Sequence, residues 1–239
     1  MEVNVLDADR WPEFLAMMRV GFADAFSSTV LASGSAAAPA SKSQPVAKAT
    51  KPVAKEGAAD PVTAWKRLVE QIVSKNQTVC FFAPRGIGLT AWNPSERKQT
   101  HIRRRFMLLG QTLDGMRVWD VRRGLQVIRG LPGLKGRPIH LRASGVMAGI
   151  VLYASLFEPP VERLDLTALP ASHRDGPIFL NVLRFLDIPQ AVAMAADRAN
   201  VCLIEPAGAD AGDPWQFPRT VATSLGWPTQ RLNFARPPQ

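Results

Sequence analysis

Apolar residues along this chain recur with two different spacings, and the places where one gives way to the other divide it into elements. Trp11, Phe14, Leu15, Met18 and Phe22 fall three or four apart, which predicts an amphipathic helix over about 11–26, after a short strand at Val3-Asn4-Val5-Leu6. Trp65, Leu68, Val69 and Ile72 repeat that spacing behind Pro61, a residue suited to a first helical turn, so a second helix is expected over about 61–75. Thr78-Val79-Cys80-Phe81-Phe82-Ala83 is continuously apolar and stops at Pro84-Arg85-Gly86-Ile87-Gly88, a strand followed by a turn. Met107–Arg129 is helical mainly in its second half, where Val118, Val121, Leu125 and Ile128 form one stripe. Asp114 with Arg117, and Asp120 with Arg123, are spaced to pair along it, and Gly130 and Pro132 end it.

The same reading places strands over 138–143, 161–166 and 200–205, helices over 146–157 and 217–225, a helical pair around 177–196 and a short strand at 231–234. Strands separated by helices pair in parallel through right-handed crossovers. The expected fold class is therefore α/β, a mostly parallel sheet sandwiched by helices on both faces. Runs as apolar as 79–83 and 201–204 suit strands covered on both sides.

Residues 33–60 break the pattern. They are rich in Ala, Pro, Lys and Ser, lack aromatic residues and repeat Pro-Val-Ala-Lys at 45–48 and 52–55, so they bury too little surface to offset the entropy of ordering. The chain divides into an N-terminal strand and helix over 1–32, a tether over 33–60 and a main domain over 61–239. Cys80 and Cys202 each sit inside an apolar strand, which argues against a zinc site or a disulfide framework. No run of about 20 apolar residues is present to span a bilayer, and the first residues lack the pattern of a signal peptide. By default the chain is expected to stay in the cytoplasm.

Chemistry concentrates around one turn. Pro138-Ile139-His140-Leu141-Arg142-Ala143-Ser144-Gly145-Val146-Met147-Ala148-Gly149 reads as a strand, a tight turn of small residues and a helix. Upstream lie the Pro-Arg-Gly-x-Gly turn and a helix with Trp119-Asp120; downstream lies Phe185-Leu186-Asp187-Ile188-Pro189. In this order the elements resemble the α/β-hydrolase superfamily, in particular bacterial acetylxylan-esterase-like and prolyl-oligopeptidase-like proteins, over about 62–239. The resemblance implies acyl transfer at the rim formed by the carboxyl ends of the strands, on a carbohydrate-ester or peptide-like ligand and without a cofactor or metal. It also implies early strands that the stretch ahead of the tether does not supply in full.

Carried onto this sequence, the resemblance assigns Ser144 as nucleophile, the N–H groups of Gly145 and Val146 as oxyanion donors, Asp213 or Asp210 as orienting acid and His173 as base. The pattern departs from an intact Gly-x-Ser-x-Gly. Gly145 occupies the nucleophile position with Ser144 one residue ahead of it, and the residues two away from Ser144 are Arg142 and Val146. No histidine follows His173, and no acid follows Asp213. The expectation is a catalytically degenerate domain, with Ser144 alternatively capping helix 146–157. His140 and His101 read as a strand residue and a solvated one.

Three other readings compete. A non-catalytic ligand-binding or structural module, working with a partner domain or a second copy, needs none of this chemistry. Ala143-x-Gly145-x-x-Ala148, with Asp165 at the end of the next strand, is a degenerate dinucleotide fingerprint and would make a Rossmann-like nucleotide binder. The net charge of +9, with Arg97, Lys98, Arg103, Arg104 and Arg105 near Trp92 and Phe106, raises nucleic-acid binding. The tether carries Lys42, Lys48, Lys51 and Lys55 against Glu56 and Asp60, and the remaining excess is mostly arginine spread among acids, which argues against a nucleic-acid surface.

Overall fold

The computed structural model describes residues 1–26, 60–92, 95–205 and 213–235. Asp210 and all of the 33–60 tether except Asp60 lie outside the described residues. Among them, six strands form one all-parallel sheet with seven α-helices around it, an α/β architecture. In chain order these are β1 (Glu2–Val5), α1 (Arg10–Gly21), α2 (Pro61–Ser74), β2 (Val79–Phe82), α3 (Glu96–Leu108), α4 (Leu113–Gly130), β3 (His140–Ser144), α5 (Gly145–Phe157), β4 (Arg163–Thr167), α6 (Ile188–Ala196), β5 (Asn200–Ile204), α7 (Gln216–Ser224) and β6 (Leu232–Ala235).

Helix starts follow from local chemistry. Asp60 accepts a hydrogen bond from Thr63 N at 3.2 Å beside Pro61, and Thr112 Oγ1 accepts from Gly115 N at 3.0 Å, so α2 and α4 each begin with an N–H group satisfied by a side chain. At α6, Asp187 and Gln190 form a capping box. The basic run that reads as solvated surface is a regular helix, α3, with no buried residue. It is separated from α4 near Gly110, which takes a φ of +70°.

The sheet order is β2-β1-β3-β4-β5-β6. The short N-terminal strand, separated from the rest by the tether in sequence, is thus an interior strand, hydrogen-bonded to β2 on one side and β3 on the other. Burial explains the insertion: Val3 and Val5 are 2% and 3% exposed, and sealing such side chains stabilises by about 1.5–3 kcal/mol each.

The two faces differ. Val3, Val5, Leu141, Ala143, Leu164, Leu166, Val201 and Leu203 are all buried in the main core, with α4, α5 and α6. Helix α5 is apolar on nearly every side, and Ile150, Val151 and Leu152 are fully buried, as expected for a helix enclosed along its middle turns. On the other face α1 and α2 lie over β1 and β2, where the Phe14 ring packs tilted against Phe81 and Gln71 Nε2 donates to Glu2. Further along that face the strands carry a charge ladder, in which Arg142 bridges Glu2 at 3.2 Å and Asp165 at 3.6 Å, and Arg163 holds Asp165 at 2.6 Å. Burial raises both thiols, Cys80 and Cys202, above the ordinary cysteine value, so neither is primed as a nucleophile.

Candidate functional site

In a parallel sheet whose strand order reverses, the connections on either side of the reversal leave on opposite faces and open a crevice at the carboxyl ends of the strands. Here the reversal falls between β1 and β3. A cleft of about 490 Å³ lies at that point, lined by Asp7 and Asp9 after β1, by Gly145 and Val146 after β3, and by Arg103, Asp114 and Arg117.

The turn after β3 is tight, the strand ending at Ser144 and α5 beginning at Gly145. Gly145 takes a φ of +55°, a left-handed conformation that glycine adopts without strain, and a Cβ placed there meets no heavy atom within 4 Å. Its open side belongs to the cleft. One residue earlier, Ser144 does not cap α5; its Oγ donates to Asp7 Oδ2 at 2.9 Å. The other oxygen of Asp7 accepts from the N–H groups of Asp9 and Arg10 at 3.0 and 2.8 Å, which fixes the carboxylate at the start of α1.

His173 stands elsewhere. It is buried, and both ring nitrogens are engaged: Nδ1 lies 2.8 Å from the Pro177 carbonyl and Nε2 lies 2.7 Å from the hydroxyl of Tyr153. A carbonyl only accepts, so Nδ1 carries the proton and, in a neutral ring, Nε2 accepts from the tyrosine. Burial, reinforced by the charge of Asp187, pushes the phenol well above its ordinary value and keeps it a donor. Asp187 accepts from Ser172 Oγ at 2.6 Å, from His173 N at 2.7 Å and from Ile188 N at 2.8 Å. Burial raises that carboxyl, but these three hydrogen bonds outweigh it and hold the group below its ordinary value.

A second network shapes the wall of the cleft. Arg85, in the turn after β2, makes a two-pronged contact with Asp120 at 2.7 and 2.5 Å, and its own N–H adds a third bond at 3.0 Å. Those hydrogen bonds raise the Arg85 guanidinium above its already high ordinary value. Asp120 is therefore spent across the fold, and Arg123, its expected partner one turn away, donates to Gln126 instead. Arg117 does meet Asp114, at 3.3 Å, and also donates to the Arg85 carbonyl, while Asp114 accepts from Ile178 N at 2.9 Å.

Of the residues singled out from sequence, Gly145 and Val146 line the cleft and Ser144 lies beside it, whereas His173 and Asp213 do not line it. Asp213 is exposed and turned to the start of α7, where it pairs with Arg219 at 3.2 Å. Asp165 lies in the middle of β4, held by two arginines away from the rim. Sequence reasoning missed Asp7 and Tyr153. The available signals were a carboxylate directly after an apolar strand, and the chain's single tyrosine within a helix whose other residues are apolar except Ser155.

Comparison with known proteins bears on the fold. No protein-family model and no curated protein matches the chain. Among solved structures, the crystal structure of a candidate acetyl xylan esterase from Bacteroides fragilis superposes with a TM-score of 0.50 at 12% sequence identity. The match covers 70% of this chain and 48% of that one, so this chain spans about half the length of its neighbour. The likeness is one of fold alone, a parallel sheet flanked by helices.

Proposed function

We propose that this chain is an α/β-hydrolase-like domain that binds a small polar ligand in the cleft between β1 and β3 and does not hydrolyse esters. The observation that carries this reading is the elbow itself: glycine, with a φ of +55° and open space beyond it, stands where a nucleophilic side chain would project.

The surrounding groups support the same reading. Nucleophilic attack by a serine needs a base to remove its proton, and the Ser144 hydroxyl is given to a carboxylate with no imidazole among its partners. The histidine has both nitrogens occupied. Developing negative charge on a substrate oxygen would need N–H donors from the turn after β1, and that turn presents the Asp7 carboxylate, which repels such charge. What remains is a cleft of mixed charge, with Asp7, Asp9 and Asp114 set against Arg103 and Arg117, suited to a hydroxyl-rich or zwitterionic ligand. The solved neighbour's description makes acetylated sugars the first ligand class to try.

The test is turnover of p-nitrophenyl acetate by the purified chain and by Ser144→Ala, together with fluorophosphonate labelling. Equal, background rates and no label are expected. Robust turnover that disappears with Ser144→Ala, or labelling of Ser144, would overturn the proposal.

A further inference from the structure

The opposite edge of the sheet holds a larger cavity, about 820 Å³, at the amino ends of β3, β4, β5 and β6. Five cations line it: Arg129 from the last turn of α4, Lys135 and Arg137 from the loop into β3, Arg198 after α6 and Arg231 before β6. Glu162 is the one carboxylate among them. They come from four separate stretches of sequence, so the concentration of charge is made by the fold. Among the described residues none of the five takes part in an ion pair.

Their contacts are with neutral groups. Arg129 Nη2 donates to the carbonyls of Pro159 and Pro160 at 2.7 and 3.3 Å, and Arg198 donates to the carbonyls of Leu156 and Glu158. Arg231 donates to the Asp197 carbonyl at 3.2 Å, and Arg137 to the Thr78 hydroxyl at 3.4 Å. Such bonds hold the guanidinium groups in place without cancelling their charge. Arg129 Nη1 is shielded from solvent and has no partner, a donor that the protein alone leaves unsatisfied. The carboxyl ends of α4, α5 and α6 face this edge, and each offsets about half a unit of positive charge. Five cations against one carboxylate still leave a surplus of more than two charges after that offset.

We propose that this cavity binds a small oligophosphate. A linear diphosphate or triphosphate carries at least as many negative charges as the surplus, and its oxygens accept in the forked geometry that guanidinium groups present. The volume lies within the roughly 300–1,000 Å³ of small-ligand sites. The site is separate from the cleft at β1 and β3 and stands whether or not the reading of that cleft holds.

Calorimetric titration of the full chain with inorganic tripolyphosphate at about 150 mM salt tests the proposal, with sulfate at matched ionic strength as the comparison. Lys135 and Arg137 are exposed, so Lys135→Ala with Arg137→Ala removes two charges without disturbing the core. The expected result is binding at least about tenfold tighter than sulfate, weakened about tenfold or more by the double substitution and unchanged by Arg104→Ala on α3. Absence of binding, affinity equal to that of sulfate, indifference to the double substitution, or retention of a single-stranded oligonucleotide without affinity for tripolyphosphate would each overturn it.

Discussion

Replacing Gly145 by serine restores a hydroxyl to the elbow, and its cost follows from the local geometry. No atom lies within 4 Å of the new Cβ, so no clash is added. What remains is the strain of a non-glycine residue at φ +55°, about 1–2 kcal/mol. Against it stands about 0.4–1 kcal/mol from the reduced freedom of the unfolded chain. The expected net loss is about 1 kcal/mol, which for a chain of this size lowers the melting temperature by about 2–4 °C. Leu152→Ala supplies the scale: that side chain is fully buried, and its removal should cost about 2–5 kcal/mol. Guanidinium unfolding of both variants, followed by circular dichroism, measures the difference, and an esterase assay on Gly145→Ser should stay at background because no imidazole reaches the elbow. A loss of more than about 3 kcal/mol for Gly145→Ser, or a gain of turnover, would refute the reasoning.

Asp120→Ala strips Arg85 of both guanidinium contacts and of a backbone bond, so denaturant unfolding should show a loss of about 2–3 kcal/mol, while Arg123→Ala should cost about 0.5 kcal/mol or less. Asp187 predicts an acid limb. Its folded carboxyl sits below the ordinary value of 3.8, so the stability it contributes is complete above that value and disappears as pH falls through the lower, folded value. Urea midpoints measured from neutral pH down to about 2 should show Asp187→Asn destabilised at neutral pH, with the gap to the parent chain closing below about pH 4.

Most of the order of strands and helices was legible in the sequence because it depends on local spacing; α3, read as a solvated basic run, was not, and of the helical pair read around 177–196 only α6 is an α-helix. The apolar runs at 79–83 and 201–204, Pro61 at a helix start and the small-residue turn before Val146 each report their own surroundings. The α/β class follows from that order, and the departure from Gly-x-Ser-x-Gly is read from Arg142-Ala143-Ser144-Gly145-Val146 directly. What only the tertiary structure decided is which distant residues meet. An interior position for the Val3–Val5 strand, the Asp7 carboxylate at Ser144, Arg85 rather than Arg123 as partner of Asp120, and Tyr153 at His173 all join residues far apart along the chain. The arginines at the amino edge of the sheet are the plainest instance: each reads singly as a helix-terminal or loop residue, and they form a cluster only because parallel strands bring all their amino ends to one edge.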